Sequence, residues 1–268
     1  MIKPVAAQFT HSTLDQMTID DEVSFRHVGL YADLKKVLRD GGYRFRVLPP
    51  ALARWDHSVF LGLTFWGETA GDVMVDCHVP ADVVAHIAWH RLAAGQFGGA
   101  GGAMSADALF FGEAIASAFD VYLVGRLLAH SPDSSFLASQ IPAMTESADA
   151  AGLSSPDFAK MLAEIAADPE RAFEDLRQLL FDAATALVVC TTPDDALGVL
   201  TRLDAHRFGA LLHRYELSNW LLFARAHAST VLAPDAAVRA LDRTLREHAC
   251  SLDWLTEAWV VPKFPVRL

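Results

Sequence analysis

Basic residues are scarce in this chain. Lys and Arg number 22 against 33 Asp and Glu in 268 residues, a formal net charge of −11. That balance argues against a nucleic-acid groove, which needs clustered Lys and Arg. Cysteine is scarcer still: Cys77, Cys190 and Cys250 are far apart and form no CxxC pair. Neither a zinc ribbon nor a dithiol redox motif can be built from them, and a reducing cytoplasm suits them best. Residues Met1 to Asp20 lack a basic stretch followed by an apolar run, so no signal peptide is expected and the location is read as cytoplasmic. Long uncharged apolar runs are missing too. The longest apolar stretch, Ala108 to Ala129, contains Glu113, Asp120 and Arg126, which predicts a buried helix rather than a membrane span. The glycine-rich run from Gly98 to Gly102 has no Lys-Ser or Lys-Thr behind it, so it is neither a P-loop nor a dinucleotide fingerprint. No repeat of fixed period is found.

Apolar side chains are plentiful. Hydrophobic residues make up 52% and charged residues 21%, the composition of a globular chain. The length suits one large domain or two small lobes.

The first 80 residues read as β-rich. Ser58 to Trp66 is aromatic and β-branched, Gly67 to Asp72 is a turn, and Val73 to Val79 alternates in part. Together they predict a hairpin. Arg44 to Leu48 and Val23 to Val28 add candidate strands, whereas Tyr31 to Arg39 is helix-like. At Pro80 the period changes. Pro80 suits the first turn of a helix and Asp82 favours its dipole. This helix is expected to reach Phe97 and stop at the glycine run. A second helix is expected from Ser105 or Ala106 to about His130. Ser131 to Pro156 reads as a linker, or as a mobile lid with a short helix inside. Beyond it helices are expected over Asp157–Ala167, Glu170–Val189, Asp194–Leu203, Arg207–Ala228 and Asp235–His248. The fold class is therefore α+β: a small β-rich N-terminal lobe over residues 1–80, then a mainly helical lobe over 81–268, with both in one compact unit.

His86 and His90 stand four residues apart at the junction. On a helix that spacing puts both rings on one face, about 5–6 Å apart at Cβ, where they can share an ion. Glu113 follows 23 positions later, across the glycine run. A short connection brings the second helix back antiparallel, which would aim Glu113 at the pair. The result is a site of two His and one carboxylate with open coordination positions. The plainer alternative is chance, since 11 His make an HxxxH spacing easy and Glu113 could be an ordinary paired acid. Against it, a buried helix with Glu113 and Asp120 on one face needs partners for those charges.

His86-Ile87-Ala88-Trp89-His90, followed by Gly112-Glu113-Ala114-Ile115-Ala116-Ser117, resembles the zincin metallopeptidases of the gluzincin type. The resemblance covers Ser58 to Gly125, a quarter of the chain. It implies a zincin-like fold, with His86, His90 and Glu113 as metal ligands. Two positions depart from that family. Ile87 stands where the peptidases carry the glutamate that serves as general base, and isoleucine cannot take a proton from bound water. Ser117 stands where a histidine-orienting aspartate is usual. Asp120, seven residues past Glu113, is the candidate to take over that role, and Asp82, four before His86, is a candidate orienter or alternative ligand.

Two chemistries follow. In the favoured one the ion is Fe(II), and the protein is a non-haem oxygenase or hydroxylase acting on a small molecule or peptide. The motif is also similar, more faintly, to zincin-like iron hydroxylases that modify peptides. Arg214, in the polar patch His213 to Glu216, could then bind the carboxylate of a substrate or 2-oxoacid cosubstrate. A surface ion pair is the plainer and preferred role for it. In the other chemistry the ion is Zn(II), the reaction is hydrolysis, and Glu68 in the hairpin turn is the nearest base. A scaffold without activity, serving a protein partner, is the third reading. No membrane contact is expected. Residues Val231–His248 and Leu252–Trp259 are amphipathic and are read as core or homodimer contacts. Cys77 and His78, at a strand end before the first metal-bearing helix, are weaker metal candidates. A buried apolar role is the commoner one for such a cysteine.

Overall fold

In the computed structural model, residues 9–55, 72–98, 104–212, 214–228 and 233–263 are described, the side chains of Arg214 and Tyr215 excepted. The chain divides into two compact units, residues 1–88 and 89–268. The division falls eight residues beyond the expected lobe boundary, inside a helix. The α+β reading holds at the coarse level: strands occupy the N-terminal region and the rest is helical.

In the first unit the strands are short. β1 (Thr10–Thr13) runs antiparallel to β3 (Arg44–Val47), and β4 (Val73–Met74) joins β3 in parallel. β2 (Thr18–Asp20) and β5 (His78–Pro80) form a separate parallel pair. α1 (Gly29–Asp40) lies where the sequence placed a helix and buries Tyr31, Leu34, Val37 and Leu38.

Two strand expectations are corrected. Val23–Val28 is not a strand: a 3-10 helix covers Glu22–His27. Val23 is exposed while Phe25 and Val28 are buried, so the burial repeat there is three residues, the period of a 3-10 turn. Val73–Val79 is not one strand either. The chain bends over residues 75–77, where the Asp76 carboxylate accepts a hydrogen bond from the His78 backbone N–H at 2.8 Å. This side-chain turn sends β4 and β5 to different sheets. The other half of the expected hairpin, Ser58–Trp66, lies outside the described residues. Pro80 closes β5 instead of entering the helix, and α2 spans Ala81–Phe97.

The second unit is built around α3 (Ala106–His130). Ser105 caps it, its hydroxyl oxygen accepting from Ala108 N at 3.2 Å. α3 is long and apolar enough to cross a membrane by length and composition, yet 78% of its most apolar window is buried within the protein. A helix apolar on every side belongs in a core, and α3 occupies one. α4 (Ser135–Ala150), α5 (Ser155–Ala167), α6 (Pro169–Leu187), α7 (Pro193–Leu203), α8 (Arg214–His227), α9 (Ala236–Glu247) and α10 (Ser251–Leu255) follow. Among the described residues, the most extensive helix-to-helix packing is between α3 and α6.

α4 corrects the expectation of a linker or lid over Ser131–Pro156. Ser134 caps it, and Phe136, Leu137, Met144 and Ala148 form its buried stripe. Pro142 and Ala138, the residue whose carbonyl it strips of a partner, are both exposed. The freed carbonyl is thus on the solvent side, where water can take up its hydrogen bond, and packing holds a helix that a proline would otherwise break.

Candidate metal centre

α2 brings the two histidines together by local geometry alone. His86 and His90 stand one turn apart on it. Ile87 and Trp89, which alternate with them, are buried, while both imidazoles are partly exposed. The apolar residues anchor the helix and leave the ring edges accessible.

Glu113 comes from the second turn of α3. Its carboxylate Oε2 lies 3.6 Å from His90 Nε2, with 12% of the Glu113 side chain and 33% of the His90 side chain exposed. His86, His90 and Glu113 each offer a ligand atom within 4.8 Å of the other two. Among the described residues this is the one such group of three or more His, Cys, Asp or Glu side chains. Around an ion with metal–nitrogen distances of about 2.0–2.1 Å, tetrahedral donors stand about 3.4 Å apart. The His90–Glu113 pair is already near that spacing. With every pair within 4.8 Å, none has to close by more than about 1.4 Å, within reach of side-chain rotation between staggered wells.

Two close approaches fix the local frame. A Cβ placed on Gly112 would stand 3.2 Å from the Ala93 Cβ and 3.9 Å from His90 Nδ1. Trp89 packs edge-on to Phe119, their ring centroids 5.6 Å apart. Its buried Nε1 has no hydrogen-bond partner among the described residues.

Asp120 is on α3, partly exposed, seven residues past Glu113 and thus about 10 Å further along the helix axis. Asp82 lies in the first turn of α2. There its charge helps to raise the Tyr31 phenol pKa, after burial and the Glu22 carboxylate. Glu68 and the side chain of Arg214 are outside the described residues. Cys77 is exposed, against the expectation of a buried thiol. His78 Nδ1 pairs with Asp20 Oδ1 at 2.9 Å across β2 and β5, and that hydrogen bond raises its pKa.

The sequence named the three candidate ligands but not the packing beside them. Phe111, immediately before Gly112, is fully buried. It meets the Phe97 and Phe181 rings at centroid distances of 5.9 and 5.3 Å, and the Arg177 guanidinium stands 5.5 Å from its centroid. A glycine in the interior of an otherwise strong helix was the available signal, because such a residue is costly there without a packing reason. Comparison with protein-family models, with curated proteins and with solved structures finds no match. The ligand assignment therefore rests on residue chemistry and geometry.

Proposed function

We propose that this protein holds one divalent transition-metal ion on His86, His90 and Glu113 and acts as a mononuclear metal-dependent enzyme on a small molecule or peptide. The convergence of the three ligand atoms within 4.8 Å carries this reading. Partial exposure of the His90 ring supports a site with open coordination positions, as catalysis needs, rather than a closed structural one.

Fe(II) with oxygen chemistry is favoured over zinc hydrolysis. Two histidines and one carboxylate are the donor set of non-haem Fe(II) oxygenases, where the ion supplies open positions for dioxygen. Ile87 favours it as well: it is buried and offers no proton acceptor for the water activation that a peptidase requires. In this reading His86, His90 and Glu113 hold the ion, Asp120 orients, and Arg214 receives a cosubstrate carboxylate. In the zinc reading Glu68 would supply the base. The gluzincin resemblance supports the ligand set and leaves the reaction open, and a zincin-like fold is part of the same proposal.

The test is metal content after anaerobic loading with Fe(II), because zinc and copper bind such donors more tightly and would displace it. The wild type should retain one iron per chain and consume oxygen when given a 2-oxoacid. Glu113→Ala and His86→Ala should retain none. Absence of stoichiometric metal from the wild type, or its retention in both variants, would overturn the proposal. One zinc per chain with no turnover would favour an inactive scaffold serving a partner.

A further inference from the structure

We infer that Gly112 is a positioning residue for this metal centre, with Ala93 as its counterpart on α2; the inference rests on the ligand set proposed above. The ordinary distance between non-bonded carbons is about 3.5–4.0 Å, and a Cβ on Gly112 would stand 3.2 Å from Ala93 Cβ. α2 and α3 can therefore approach as closely as they do only because position 112 has no side chain. That approach is what brings His90 Nε2 within 3.6 Å of the next residue's carboxylate.

The surroundings decide which helix would yield to an added methyl. Phe111, one residue away and fully buried, is held in an aromatic cluster with Phe97 and Phe181, and the Arg177 guanidinium stands 5.5 Å from its ring centroid. The α3 turn that carries Glu113 is thus fixed. Phe97 ends α2 and is pinned by the same cluster, since it also meets the Trp259 ring at 5.8 Å. With α3 fixed and the end of α2 anchored, an added methyl tilts α2 about Phe97. His90, seven residues from that pivot, swings away from Glu113. The shift is a few tenths of an ångström, and it adds to the distance the side chains already have to close to meet one ion at bond lengths held to about 0.2 Å.

Co(II) is the probe, because its visible absorption reports coordination geometry directly. Gly112→Ala should weaken Co(II) binding by roughly 10–100-fold, the usual cost of disturbing groups that orient metal ligands. It should also change the Co(II) spectrum while helix content by circular dichroism stays constant. The double variant Gly112→Ala/Ala93→Gly moves the methyl to the other helix and should restore affinity and spectrum. Wild-type affinity and spectrum in Gly112→Ala would overturn the inference. So would a folded double variant that binds no better than the single one, and this arm decides the matter if Gly112→Ala alone does not fold. A wild type that binds no Co(II) would instead count against the metal reading itself.

Discussion

Arg177 is fully buried, and its charge is matched on two sides. Its Nε and Nη2 donate to the two Glu174 carboxylate oxygens at 3.0 and 2.7 Å, and its Nη1 donates to Asp242 at 2.8 Å. Asp242 in turn accepts from Arg246, which also reaches Asp182. A buried guanidinium survives only when its donors are matched in this way. Arg177→Ala leaves the mostly buried Glu174 carboxylate without its cation and Asp242 with Arg246 alone, so it should cost about 3–5 kcal/mol. Urea denaturation of the variant measures this, and a loss under 1 kcal/mol would show that the network contributes little. Asp235 is the contrasting case at the surface. It caps α9, accepting from the Ala237 and Val238 N–H groups. The Ser105 hydroxyl and those N–H groups hold its pKa below the ordinary value of 3.8. Since the folded state lowers this pKa, the stabilisation is present above the unfolded value and is lost as pH falls through the folded one. Asp235→Asn keeps the cap but removes the titration. Its stability should therefore fall less steeply than that of the wild type on acidification from pH 5 to pH 2, as thermal melts would show. Equal slopes would mean that Asp235 contributes nothing to acid sensitivity.

At the scale of elements, α3 is the helix on which the second unit depends, and Gly125 shows how closely it is enclosed. A Cβ there would stand 2.5 Å from the Ile165 carbonyl oxygen and about 3 Å from the Pro169 ring. Gly to Ala in a helix is intrinsically favourable by about 1 kcal/mol, but overpacking against fixed atoms costs about 1–3 kcal/mol or more. Backbone cannot rotate aside as a flexible side chain can, so the clash should win and Gly125→Ala should lower the unfolding midpoint. A raised midpoint would contradict this. The spans of α2 and α3 were legible in the sequence to within a residue or so because their signals are local: Asp82 in a first turn, glycines beyond Phe97. α4 was not, because Pro142 spoke against a helix and its stabilising stripe becomes visible only once the residues it packs on are known. The break at residues 75–77 was hidden for a similar reason. Val73 to Val79 has strand composition throughout, and one Asp76 side-chain hydrogen bond divides it.

For the whole molecule, the sequence by itself determined the order of the architecture, a strand-bearing N-terminal region and then helices, and the ligand types of the candidate centre. It determined these because helix caps, glycine breaks and an HxxxH spacing act over a few residues, where chain connectivity does the positioning. It also marked Ile87 as a residue without acid–base chemistry. Tertiary structure decided the rest. It set the Glu113 carboxylate 3.6 Å from His90 Nε2. It placed Gly112 against Ala93 and set Arg177 between Glu174 and Asp242. These outcomes depend on distances between residues far apart in the chain, set by close packing to tenths of an ångström. No local pattern encodes a distance of that kind.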